Sequence, residues 1–289
     1  MAHPTARFTL VFVRLSRLIT GAVLAFAGTA AFAEAPARVV SLNVCTDQLA
    51  MMVAREGQLY SLSPLATDPR TSAMYRAAEA YHINSARAEE IYLMKPDLVL
   101  AGTYTARSSV EMLERLGLRV ERFAPSSSLA DISGNLTKMG AVLGRPKQAQ
   151  ALVQELQAGL EALRARAPAT RQRAVSYAAN GYTAGTETLT SEMMEAAGFA
   201  NVAAEFGIRF GAPMPLELLA LSAPDVVMTS PLYPGASRSE EIKLHPVVAA
   251  VTAGQVPLQL DSRDWMCGTP LVLRAIRDLA QQREALTLE

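Results

Sequence analysis

The stretch Glu89–Leu100, EEIYLMKPDLVL, decides the fold, because the chain carries its outline twice. The second copy is Glu217–Met228, ELLALSAPDVVM. In each, a Glu stands seven residues before a Pro-Asp pair, and apolar residues follow the pair. The residues ahead of the Pro suit a short helix. Pro stops it by removing a backbone donor and restricting the residue before it. The unbroken apolar runs Leu98-Val-Leu100 and Val226-Val-Met228 suit parallel strands covered on both faces. A helix–turn–strand unit that recurs so far downstream predicts two related α/β lobes.

The flanking sequence supports this. Arg38-Val-Val-Ser-Leu42 reads as a strand, Asn43-Val44-Cys45 as a turn, and Thr46 as the cap of a helix with Leu49, Met52 and Val53 on one face. A helix over Val110–Leu116 stops at Gly117, and Arg119–Phe123 is the next strand. In the second half, Arg173–Tyr177 and Val256–Leu260 are strands, Asn180-Gly181 is a turn, and a helix over Leu189–Ala197 closes at Gly198. His245-Pro246 starts another helix, and Thr269-Pro270 a last one running to about Arg283. Strands alternating with helices indicate parallel α/β units.

Between the halves the pattern changes. Ile132, Leu136, Met139 and Leu143, then Leu152, Leu156, Leu160 and Leu163, keep helical spacing with no strand signal. Leu143-Gly144-Arg145-Pro146 interrupts them. This predicts one long helix, or two nearly collinear ones, acting as a strut. The expected organisation is a leader over 1–33, a lobe over 34–128, an interdomain helix over 129–167 and a second lobe over 168–289.

The leader is read from Arg7, Arg14 and Arg17, an acid-free apolar run, and the small-x-small end Ala31-Phe32-Ala33. This is the pattern of a secretory signal peptide cleaved near Ala33. Its removal takes three Arg and no acid from 27 basic and 27 acidic residues, leaving a net charge near −3. That balance does not fit a nucleic-acid binder, whose surface is basic. The expected product is exported, soluble and monomeric.

In an open parallel sheet, ligands bind beyond the carboxyl ends of the strands. The segments there contribute Asn43, Cys45, Tyr104, Arg107, Tyr182, Tyr233, Arg263 and Trp265 as candidate ligand contacts. Aromatics on facing loops suit a large, flat or amphipathic ligand. Arg107, Arg238 and Arg263 are candidate cationic contacts.

The ordered landmarks RVVSLN (38–43), EEIYLMKPDLVLAG (89–102), AVLGRP (141–146), ELLALSAPDVVM (217–228) and the Asp264-Trp265 loop resemble the periplasmic substrate-binding proteins of ABC importers for iron chelates and vitamin B12. The resemblance covers essentially the whole chain after the leader. It implies the class III fold, two Rossmann-like lobes with parallel sheets joined by a long backbone helix. It also implies a periplasmic solute-binding role. The cargo would be a metal chelate, a corrinoid or ferric siderophore, which itself carries Co or Fe. A haem carrier, or a sensor or enzyme on the same two-lobe fold, stands as the alternative. In such proteins an acidic residue on top of each lobe docks onto Arg of the membrane permease. Glu89 and Glu217 occupy the matching positions.

Cys45 and Cys267 are the only Cys residues, one per lobe. Two readings fit, with the first preferred: a disulfide across the cleft, as exported proteins favour, or two thiols touching the ligand. No cofactor or bare metal site is expected. After the leader only His82 and His245 remain, neither with a second ligand at metal spacing. No nucleophile elbow, phosphate loop or paired-His motif indicates catalysis. An acid–base pair drawn from Asp47, Asp68, Asp261 and Asp264 is the rival, though turns and caps account for them.

Overall fold

The computed structural model describes residues 34–232, 237–252, 258–260 and 262–286. The leader, Tyr233 and Asp261 lie outside these residues.

The first half runs β1 (Val39–Ser41), α1 (Val44–Val53), β2 (Leu59–Leu62), α2 (Tyr75–Ala78), β3 (His82–Ile83), α3 (Ala88–Leu93), β4 (Leu98–Gly102), α4 (Arg107–Arg115) and β5 (Val120–Phe123). Next come α5 (Leu129–Val142) and α6 (Pro146–Ala165). The second half runs β6 (Gln172–Ser176), β7 (Tyr182–Thr183), α7 (Leu189–Ala196), β8 (Phe199–Asn201), β9 (Ala212–Pro213), α8 (Leu216–Ser222), β10 (Val226–Thr229), α9 (Pro246–Val251), β11 (Leu258–Gln259) and α10 (Val272–Leu286).

The strands form two parallel sheets, ordered β3-β2-β1-β4-β5 and β11-β10-β6-β8. A small antiparallel ribbon pairs β7 with β9. The repeated unit has the same place in both lobes. Its strand β4 lies on β1, with Val39 opposite Leu98, and its counterpart β10 lies on β6, with Val226 opposite Ala174.

The apolar runs are continuous because each sheet is covered twice. Val39, Leu98 and Leu100 face one side of the first sheet, while Val40 and Val99 face the other. In the second sheet Ala174, Val226 and Met228 face one side, Val175 and Val227 the other. The inner faces of both sheets share one apolar core, filled from between by Leu136 and Met139 of α5 and Leu156 and Leu160 of α6. Close-packed interiors resist deformation, so this core ties the lobes together.

The strut differs from expectation. α5 and α6 fold back on each other instead of running collinear. The reversal comes at Gly144 (φ +68°), where the Arg145 N–H donates to Gly140 O at 2.6 Å. Gly140 lets the arms close, since a Cβ there would collide with Ala149. α5 starts beside the second lobe, where Glu192 accepts the Leu129 N–H at 2.7 Å. It ends beside the first, where Gln58 Nε2 donates to Leu143 O at 2.9 Å. α6 makes the return crossing. Gln148 Nε2 donates to Met52 O at 3.4 Å near its start, and Arg166 pairs with Glu284 at 3.2 Å just past its end. Its 20 residues span about 30 Å at 1.5 Å per residue.

Candidate ligand-binding cleft

In each sheet one strand has neighbours added on opposite sides: β1 between β2 and β4, and β6 between β8 and β10. Crevices open at the carboxyl ends of such strands. Both sheets have one there.

The crevice of the first lobe is a cavity of about 190 Å³, lined by Asn43, Cys45 and Thr46, by Gly102–Tyr104 after β4, by Phe123–Pro125 after β5, and by Met266 and Cys267 from the second lobe. Asn43, not Thr46, caps α1: its Oδ1 accepts the Cys45 N–H at 3.0 Å, and the helix begins at Val44. Thr46 instead lies inside the first turn, and its hydroxyl donates to Asn43 O at 2.9 Å. Behind it, Asp47 is buried and accepts the Ser63 hydroxyl at 2.5 Å and the Ser63 N–H at 3.2 Å. Burial raises its carboxyl to about 6, against the lowering effect of hydrogen bonds from Ser41 and Ser63.

The crevice of the second lobe is a cavity of about 120 Å³, lined by Ser176–Ala178 after β6, by Tyr182, by Met228–Ser230 after β10, and by Trp265. Tyr177 is buried and its hydroxyl donates to Met214 O at 3.2 Å. Burial first, and the Glu217 charge second, raise its phenol. Tyr182 is half exposed and lies across Gly211, where a Cβ would collide with its ring. Trp265 is partly buried against the shared core, and its buried indole N–H has no hydrogen-bond acceptor among the described residues.

Cys45 and Cys267 form a disulfide, with Cα atoms 4.6 Å apart across 222 residues of sequence. The alternative of two free thiols touching a ligand is thereby corrected. A third, open hollow of about 650 Å³ lies between the lobes and is lined by Met52, Tyr75, Arg76, Arg263, Asp264 and Arg274, among others. Arg274 pairs with Asp264 at 2.5 Å, and Arg263 donates to Pro69 O at 3.4 Å.

The predicted contacts therefore separate into groups. Asn43, Cys45 and Tyr104 meet in the first crevice, Tyr182 and Trp265 in the second, and Arg263 lines the side hollow. Arg107 lies outside all three, exposed at the start of α4 and paired with Glu111 at 2.6 Å. Met266, Phe123, Arg76 and Arg274 were not singled out by sequence reasoning. Their only sequence signal was position beside a strand end or a helix start. Asp68 pairs with Arg70, and Asp264 with Arg274, so each has a local structural role. His245 caps α9 through the Val247 N–H at 3.2 Å. Among the described residues no cluster of His, Cys, Asp or Glu could hold a metal ion.

Glu89 and Glu217 are exposed in the first turns of α3 and α8. Among the described residues neither carboxylate forms a hydrogen bond or ion pair.

Residues 39–256 match the family described as "Periplasmic binding protein". The chain belongs to this family. Its relatives include the cobalamin-binding protein of Halobacterium salinarum, 27% identical over 198 residues, which are 67% of this chain and 54% of that protein. The chain thus spans about half the length of the curated relatives it matches. Among solved structures, a possible iron-binding periplasmic solute-binding protein of Staphylococcus epidermidis has a TM-score of 0.71 at 20% identity, over 86% of this chain and 99% of that one. The periplasmic heme-binding protein HutB of Vibrio cholerae has a TM-score of 0.70 at 19% identity, over 87% and 99%. The vitamin B12-binding protein BtuF of the same organism has a TM-score of 0.65 at 18% identity, over 88% and 99%. These likenesses show that this binding protein has the two-lobe class III fold. No helix among its described residues is long and apolar enough to cross a membrane.

Proposed function

We propose that the chain is the solute-capturing component of an ABC importer, binding a metal chelate between its lobes and delivering it to a membrane permease. One observation carries this reading: each lobe has a strand-end crevice, the first lined by Tyr104 and the second by Tyr182 and Trp265. Aromatic faces flanked by polar strand ends suit a broad, amphipathic chelate. The relatives named for cobalamin, iron and heme support the ligand class. The metal belongs to the cargo, and the protein itself binds without catalysing.

The remaining parts of the reading follow from the sequence. Residues 1–33 are a signal peptide cleaved near Ala33, and the mature chain works in the periplasm as a monomer. Residues 34–128 and 168–289 act as the two lobes, with 129–167 as the connection. Glu89 and Glu217 dock onto the permease. Two exposed charges fixed at equivalent points give register and steer the encounter more than they add affinity.

Quenching of Trp265, the sole Trp, tests the ligand class. Cyanocobalamin, a ferric hydroxamate and haemin are titrated into oxidised and reduced protein, with correction for their absorbance. Saturable binding of one class is expected. Failure of all three to bind in either redox state rejects the reading. Haem is the second reading, favoured by the exposed phenol of Tyr104 (87% exposed) at the mouth of the first crevice. A tyrosinate–haem absorbance band that Tyr104→Phe abolishes would establish it.

A further inference from the structure

The segment 263–268 divides the cleft. Trp265 lines the crevice of the second lobe, while the next two residues, Met266 and Cys267, line that of the first. The two cavities, about 190 and 120 Å³, are thus separated by the width of one strap of chain. Each is smaller than the roughly 300–1,000 Å³ that holds a drug-sized ligand. A rigid chelate larger than that needs the two joined.

The strap belongs to the second lobe but is held to the first. Arg263 donates to Pro69 O at 3.4 Å, Gly268 (φ +55°) backs onto Ser126 closely enough to exclude a Cβ, and Cys267 is bonded to Cys45. Of these ties only the last is covalent. The Trp265 indole N–H beside these ties is buried and has no acceptor among the described residues. Buried polar groups normally have partners.

We propose that the Cys45–Cys267 disulfide is a redox latch on the strap 263–268, and that its reduction joins the two crevices into one ligand site. A dithiol reductant supplies the step. Its thiolate attacks the bridge, which lines the first crevice and is reached from there. The Sγ–Sγ bond breaks, Cys45 and Cys267 take up two electrons and two protons as thiols, and the reductant closes to its own disulfide. Freed from α1, the strap lifts Trp265 and Met266 from between the crevices. The oxidised protein then holds the binding-competent arrangement as a minor state, which weakens apparent affinity in proportion to its population. Only this affinity consequence rests on the chelate-binding reading above; release of the strap does not.

Because Trp265 is the only Trp and sits in the strap, its accessibility reports the latch without any ligand. Acrylamide quenching is measured on the oxidised full chain, on the chain reduced with dithiothreitol, and on Cys45→Ser/Cys267→Ser, with far-ultraviolet circular dichroism to establish that each is folded. Cyanocobalamin and haemin affinities are measured on the same samples. The expected result is a quenching constant that at least doubles on reduction and in the variant. Affinity should tighten about tenfold, the change that corresponds to a competent fraction of about a tenth in the oxidised form. Unchanged quenching in both the reduced chain and the folded variant overturns the latch. Raised quenching with equal affinity overturns the gating of ligand. If no chelate binds any form, the chelate-binding reading fails, while the quenching result still decides whether the strap is latched.

Discussion

Asp97 accepts the backbone N–H of Arg38 at 3.0 Å, pinning the repeated unit to the strand that precedes it by 59 residues. Its counterpart Asp225 accepts the N–H of Arg173 at 2.7 Å. The Arg side chains are equivalent too. Arg38 Nε donates to Met94 O at 2.6 Å, and Arg173 donates to Ser222 O at 2.7 Å and Ala223 O at 2.9 Å. Each guanidinium thus closes the carbonyl end of a short helix, where a cation is favoured. Lys95 and Ala223, just before the prolines, both take positive φ. The Pro-Asp pair is therefore a lock between helix, turn and sheet, used once per lobe.

Asp97→Ala and Asp225→Ala should each lower stability by about 1 kcal/mol, the net worth of a hydrogen bond at these exposed sites. The two sites are in different lobes, so the losses should add. Urea unfolding of both single variants and the double variant reads this. Midpoints unchanged from the parent would show that the locks contribute nothing.

Glu89→Ala combined with Glu217→Ala should leave folding and ligand affinity unchanged and abolish uptake. Among the described residues neither carboxylate has a hydrogen bond or ion pair to lose, and both are exposed. Transport in proteoliposomes containing the cognate permease is the measurement. Full uptake by the double variant would exclude a docking role.

The buried Asp47 makes stability depend on pH. Its carboxyl holds a proton to about 6 in the fold, against an ordinary value of 3.8. Between these values the native state binds more protons than the unfolded chain, so stability falls as pH rises. Asp47→Asn removes that penalty. Relative to the parent, the variant should gain up to about 3 kcal/mol between about pH 4 and pH 7. A difference in unfolding free energy that stays constant over that range would contradict this.

Reduction of Cys45–Cys267 should destabilise the chain by roughly 5 kcal/mol if chain entropy dominates, because the bridge closes so long a loop. Guanidinium unfolding with and without a phosphine reductant measures it. A loss below about 1 kcal/mol would contradict the chain-entropy account, meaning that the reduced, unfolded chain already retains structure.

The order of strands and helices was legible from short-range signals. Leu98-Val-Leu100 and Val226-Val-Met228 read as buried parallel strands, and Gly117 and Gly198 as helix ends with φ of +81° and +90°. The repeat at Glu89 and Glu217 exposed the two-lobe plan. Short strands were harder to see: β3, β7 and β9 have two residues each, too few for a period to register. The candidate contacts beside strand ends were visible as positions, but not as a site. Arg107 shows the limit: it was read as part of a strand-end loop, but it begins α4 and its side chain pairs with Glu111.

What the sequence determined by itself is therefore local: which residues pair with backbone, which face is apolar, where a helix must stop. Tertiary structure decided the pairings between distant residues. It folded α5 back on α6 at Gly144, joined Cys45 to Cys267 over 222 residues, and set Trp265 and Met266 into different crevices. Periodicity and capping are fixed by neighbours within a few positions. Long-range contacts depend on how both lobes close-pack against one core, a property of the whole chain that no short window contains.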